Sequence, residues 1–198
     1  MQARRNAAAG ATGRAGGGGG CDGLQLDHPQ LGTIVVGPVE PTLTYALRHK
    51  VLRPHQRVED MGLPGADHPD ALVVGASSAQ GEVVGTGAVT PEPPPDDLAA
   101  VVPAGSTWRL RSMATRPDAR GAGIGAAVLA VIVAHVAARG GGVLWCSART
   151  PALSFYERAG FVTFGDVWEA EHIGPHVLMW RVVHGSTGTT NDGEGGDV

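Results

Sequence analysis

The sequence predicts a single-domain α/β (α+β) fold, a mixed and mostly antiparallel sheet flanked by helices. Three observations predict it. Short β-branched or alternating runs recur between turns rich in Gly and Pro. Two apolar stretches, one leading to Arg139 and one from Pro151 to Ala159, have helical length and no internal breaker. One strand runs through a glycine loop straight into the longer of these helices.

Of 198 residues, 31 are Gly and 14 are Pro, but 8 of the glycines lie in residues 1–23 and 5 in residues 185–198. These two segments read as a disordered Gly/Ala-rich arm and a disordered acidic tail. Residues 24–184 keep most of the apolar residues and have the length of one domain, since halving them would leave each part too small for a good core. No G-X-Y period supports a collagen reading, and no apolar run approaches the roughly 18 residues of a membrane span. Arg4, Arg5 and Arg14 are not followed by a signal-like apolar stretch, so a cytoplasmic location is expected. Cys21 in the arm and Cys146 in a strand-like run do not suggest a disulfide. With a net charge of −4 and Lys50 as its single lysine, the chain is a poor partner for nucleic acid.

Along the chain, Thr33–Val36 reads as a first strand. Pro41 to Val51 reads as a helix, with Leu43, Ala46, Leu47 and Val51 at helical spacing. Arg53 to Pro69 is a long polar loop, which suits either a substrate mouth or disorder. Ala71–Gly75 and Glu82–Thr90 form a hairpin, followed by an acidic, Pro-rich loop from Pro91 to Asp97. Thr107–Thr115 sets Trp108, Leu110 and Ser112 against Arg109, Arg111 and Met113, a strand with two chemically different faces. The helix that ends at Arg139 should be buried on most of its circumference, and Gly140 to Gly142 should terminate it. Val143–Ala148 is the next strand. Thr150 is placed to cap the helix Pro151–Ala159, and Gly160 closes it. Phe161–Phe164 and His176–Val183 are the last strands, separated by the polar segment Gly165–Pro175.

The chemistry concentrates between Arg120 and Ala126. A bare G-x-G-x-G is expected by chance in a chain this rich in glycine, and the arm already contains one. Arg120 in front of it, a strand upstream and a long helix downstream make it informative. A helix N-terminus offers unpaired N–H groups and positive dipole to a phosphate, and glycines allow close approach. A nucleotide-triphosphatase loop would need Gly-Lys-Ser or Gly-Lys-Thr, and Lys50 is far away.

The segment Met113-Ala114-Thr115-Arg116-Pro117-Asp118-Ala119-Arg120-Gly121-Ala122-Gly123-Ile124-Gly125 resembles the acetyl-CoA signature of the GCN5-related N-acetyltransferase (GNAT) family. Ala152-Leu153-Ser154-Phe155-Tyr156-Glu157-Arg158-Ala159-Gly160-Phe161 is similar to that family's A-x-x-F-Y-x-x-x-G-F segment, and His172 to Trp180 resembles the last hairpin of a bacterial subgroup. The resemblance covers roughly Thr33 to Val183 and implies that 24–184 is an acetyltransferase domain. It implies that the backbone of Met113, Ala114 and Thr115 pairs with the pantetheine arm of acetyl-CoA. It further implies that the amides of Gly121, Ala122, Gly123, Ile124, Gly125 and Ala126 hold the pyrophosphate, with Arg120 at the loop mouth or simply solvated. Tyr156 matches the tyrosine that protonates the leaving thiolate; the alternative is a core tyrosine beside Phe155. Arg149 stands where the family often has Asn, and could reach a CoA phosphate instead.

The implied reaction is direct attack of a neutral amine on the thioester carbonyl, with a general base taking the amine proton. Glu59, Glu171, His172 and His176 are candidates that spacing does not separate, and His135 reads as a core histidine. No metal is expected. The acceptor is a small-molecule or peptide amine; the acidic loop and negative net charge suit a cationic one. No membrane partner is expected, and the protein would act as a monomer or homodimer. A non-catalytic acyl-CoA sensor and an interaction protein are the alternative readings.

Overall fold

The structure, a computed structural model, describes residues 23–186. The arm expected over 1–23 and the tail over 185–198 therefore lie outside the described residues, except for Gly23, Gly185 and Ser186. One eight-stranded sheet organises the chain: β1 (Leu24–His28), β2 (Gly32–Pro38), β3 (Leu72–Ser78), β4 (Val83–Pro91), β5 (Thr107–Thr115), β6 (Gly141–Arg149), β7 (Val162–Ala170) and β8 (Gly174–His184). Their order is β1-β2-β3-β4-β5-β6-β8-β7, antiparallel throughout except at the parallel β5–β6 pair. Among the described residues four α-helices accompany it: α1 (Tyr45–Leu52), α2 (Asp96–Ala99), α3 (Ile124–Ala138) and α4 (Leu153–Arg158). This is the mixed, mostly antiparallel α/β architecture that the sequence predicts.

The core lies between the sheet and α3. In β2 the alternation is visible directly: Ile34 and Val36 are buried and Val35 between them is exposed. Ile124, Val128, Ile132 and Val136 form one buried stripe of α3 against the sheet, meeting Val74, Val84, Leu110 and Leu144 in one cluster. The helix is less enclosed than its composition suggests. Ala126, Ala130, Ala134 and Ala138 form an exposed row, where a methyl group presents too little area to need cover.

Other departures have similar physical causes. The exposed edge strand β1, whose turn is closed by the amides of Gln30 and Leu31 donating to Nδ1 of His28, was not expected. Pro41–Thr44 forms a 3-10 turn before α1, and this shifts the phase of the helix: Leu43 is exposed, while Thr44, Leu47 and Arg48 are buried. Thr150 lies in a 3-10 turn and makes no capping bond. Gly141 and Gly142 belong to β6 rather than to a helix stop. A Cβ at Gly142 would sit 2.1 Å from the carbonyl oxygen of Ser106, so glycine there permits a backbone approach. Gly165 to Ala170, expected as a connection, continues β7 through an irregularity between Phe164 and Trp168. Among the described residues no helix is long and apolar enough to cross a membrane.

Candidate active site

The parallel register of β5 and β6 is short. It runs from Thr107↔Val143 to Arg109↔Trp145 and then stops, although β5 continues to Thr115 and β6 to Arg149. A cleft therefore opens in the middle of the sheet, with the β5 backbone from Leu110 to Thr115 unpaired on the β6 side among the described residues. A bulge helps shape it. Ser112 has φ 59, and the β4–β5 register shifts between Thr86 and Ala88. Met113 is thereby directed toward α3, and Gly87 makes room for it, since a Cβ there would lie 2.4 Å from Met113 Sδ.

At one end of the cleft, Thr115 leads into the glycine loop. Arg116 anchors this loop through ion pairs to Glu82 at 2.5 Å and Asp118 at 2.7 Å. Gly121 and Gly123 have φ of 84° and 81°, a region costly for any residue with a Cβ. Gly125 has no such requirement, and a Cβ there would make ordinary contacts with Phe155 and Thr115. The first amide of α3 bonded to a backbone carbonyl is that of Ala127, which donates to Gly123, so the amides of Gly121 to Ala126 have no backbone acceptor among the described residues. Arg120 is exposed and its Nε donates to the carbonyl of Thr115 at 3.3 Å, so it stands beside the loop.

At the other end is a cavity of 530 Å³ walled by α1, the loop after it, β5, β6, α4 and the β7–β8 hairpin. The polar loop expected between Arg53 and Pro69 lines this cavity, through residues such as Asp60, Met61 and Leu63. Tyr156 lines it as well. Its ring packs edge-on against Phe155 and Phe161 at 5.0 and 5.5 Å, so the core reading and the site reading of this tyrosine both hold as descriptions of its place. Burial, with a smaller contribution from Cys146, pushes the Tyr156 phenol well above the ordinary range, and the group keeps its proton at neutral pH. Burial likewise pushes the Cys146 thiol up to about 12.

The four base candidates separate. Glu59 is exposed and paired with Arg57, and Glu171 and His172 pair with each other, exposed, at the tip of the last hairpin. His176 alone of the four lines the cavity, and it is buried. Its Nδ1 lies 2.7 Å from the carbonyl oxygen of Gly174. A carbonyl only accepts, so Nδ1 is the donor in this bond, which in the neutral ring leaves the lone pair on Nε2. His135 is the structural residue expected: its Nε2 bonds the carbonyl of Asp70 at 2.9 Å and its Nδ1 accepts from Arg139.

The arginines of the cavity were not foreseen as a group. Arg48, Arg53, Arg109, Arg111 and Arg149 all line it. Glu92, from the acidic loop, binds Arg109 at 2.6 Å with one oxygen and Arg111 with the other. Arg109 also stacks on Trp145, its guanidinium 4.6 Å from the ring centre. Arg149 donates to the carbonyl of Leu52 at the end of α1, and none of the glycine-loop residues lines this cavity. The sequence signal for Arg109 and Arg111 was present in the two-faced pattern of β5. For Arg48 there was none, because its burial depends on the 3-10 turn that rotates α1. Among the described residues no group of three or more His, Cys, Asp or Glu is placed to hold a metal.

Comparison with known proteins places the chain among N-acetyltransferases. The chain is 27% identical over 143 residues to the uncharacterized N-acetyltransferase YitI of Bacillus subtilis (strain 168), covering 72% of this chain and 92% of the relative. Its fold matches an aminoglycoside 6'-N-acetyltransferase solved in complex with coenzyme A, with TM-score 0.58, 14% identity, and 78% and 99% of the two chains covered. It also matches the ribosomal-protein-alanine N-acetyltransferase of Brucella melitensis, with TM-score 0.57, 17% identity, and 75% and 99% covered. The sequence profile of the Acetyltransferase (GNAT) family matches residues 44–161, more than half of the sequence, and the chain belongs to that family.

Proposed function

We propose that the protein transfers an acetyl group from acetyl-CoA directly to a primary amine. The observation that carries this reading is the parting of β5 and β6 after Arg109 and Trp145, which leaves a free strand edge between unpaired loop amides and a buried tyrosine. Acetyl-CoA supplies an acyl thioester. The residues present fit it: the amides of Gly121 to Ala126 would hold its pyrophosphate, with Arg120 at the loop mouth. The open backbone of Met113, Ala114 and Thr115 would take the pantetheine amides as an added strand takes a peptide. Arg149, bonded to Leu52, is assigned to the acceptor cavity rather than to a CoA phosphate.

Acylation of an amine removes one proton from nitrogen and delivers one to sulfur. Nε2 of His176 is free to accept the first, since Nδ1–H is held by the carbonyl of Gly174. Oη of Tyr156 donates the second, because burial keeps it protonated. Titration calorimetry with acetyl-CoA should show micromolar binding, and Tyr156→Phe should lower kcat by about 100-fold while leaving that affinity within about twofold. Absence of acetyl-CoA binding would sink the proposal, and binding without turnover on any amine would select a sensor instead.

A further inference from the structure

The charge of the cavity is opposite to that of the chain. A protein of net charge −4 gathers five guanidinium groups around one 530 Å³ space, against the carboxylates of Glu92 and Asp60. These cations are withdrawn from water at a cost. Arg48 is 6% exposed, donates through Nη1 to the carbonyl of Met61 at 2.5 Å, and among the described residues its Nε has no partner, nor has the buried Nε of Arg111. The side chain of Arg53 makes no hydrogen bond or ion pair among the described residues. Burial lowers the affinity of Arg48, Arg111 and Arg149 for their protons, and neighbouring arginines lower it further. Repulsion of this kind in a half-closed space is relieved by an anion, and a guanidinium fork matches a carboxylate or phosphate. The cofactor's phosphates have their own site at the glycine loop, on the far side of a strand edge of about 20 Å.

We infer that the acceptor is a small amine that itself carries a carboxylate or phosphate, gripped by Arg48, Arg53 and Arg111 so that its amino group faces His176 and Tyr156. This rests on the acyl-transfer reading and replaces the cationic acceptor that net charge suggested. The cavity volume is that of a small-molecule site.

The test compares four amines in the acetyl-CoA reaction: glutamate, O-phosphoethanolamine, ethanolamine and cadaverine. One of the two anionic amines should exceed ethanolamine and cadaverine by at least about tenfold in kcat/KM, and which one does so tells carboxylate from phosphate. Arg53→Gln, at an exposed position where folding is not at stake, should raise the KM of that amine about tenfold and leave the Kd of acetyl-CoA unchanged. Calorimetry of glutamate and O-phosphoethanolamine with the protein alone gives a readout independent of turnover, and it should weaken with added salt. Preference for cadaverine or ethanolamine overturns the inference while leaving acyl transfer intact. Loss of acetyl-CoA affinity in Arg53→Gln also overturns it, because the arginines would then serve the cofactor. Anion binding without acetyl-CoA binding would defeat the acyl-transfer reading and the acceptor role with it, leaving the arginines as an anion site only.

Discussion

At one end of the β5–β6 cleft the groups on offer are backbone amides, from Gly121 to Ala126, positioned by two positive φ angles. At the other end they are side chains, drawn from α1, the loop after it, β5, β6, α4 and β8. The amide end is contiguous in sequence, carries no titratable group of its own between Gly121 and Ala126, and depends on backbone conformation. The side-chain end is assembled across more than 120 positions, from Arg48 to His176, and depends on packing and charge. A substitution that harms one end should therefore leave the other nearly intact.

The largest effect that would sharpen this contrast is expected at His176. His176→Asn keeps a side-chain donor but has no basic nitrogen. It should lower kcat by about 100-fold, with acetyl-CoA affinity by calorimetry within about twofold of the parent. A comparable loss of cofactor affinity would mean that the two ends are not separable. At the amide end the informative pair is Gly123→Ala and Gly125→Ala. With nothing near its missing Cβ, Gly123 is required only by its φ of 81°, and alanine there costs about 1–2 kcal/mol. That cost should emerge as an acetyl-CoA affinity about tenfold weaker or as an equivalent loss in melting stability. Gly125→Ala should change neither, because its Cβ would meet Phe155 and Thr115 at ordinary distance. Equal effects at both positions would show that close approach of the ligand, not backbone conformation, explains the glycines.

The same contrast explains what could be read in advance. The strand, glycine loop and helix from Thr107 to Ala138 are local, so alternation and breakers sufficed to find them. Tyr156 was found because its helix-to-strand segment is itself a contiguous pattern. Arg48 was invisible, since its inward direction is set by the 3-10 turn at Pro41–Thr44, and so was Glu92, which looked like one more solvated acid in a Pro-rich loop. The missed edges of the sheet follow the same logic. β1, and β7 beyond Phe164, are exposed over most of their length and are held by pairing with β2 and β8, which local composition does not report.

Alkaline pH offers the smallest and most selective probe of the side-chain end. Cys146 lies on the β6 wall of the cavity, buried, with its thiol pushed from 9.0 to about 12. In the unfolded chain the same thiol ionises near its ordinary value, so between these limits the folded state binds more protons than the unfolded one. Stability must then fall as pH rises. Its full contribution is present below pH 9 and is lost toward pH 12, with a limiting slope of about 1.4 kcal/mol per pH unit. The buried phenol of Tyr156 adds a loss of the same sign only at higher pH, beyond the ordinary phenol value of 10.0. Urea unfolding between pH 8.5 and 10 should accordingly show a decline that Cys146→Ala flattens, whatever that variant does to stability at neutral pH. An unchanged slope in Cys146→Ala would mean that water reaches the β6 wall and that the cavity floor is more open than its packing indicates.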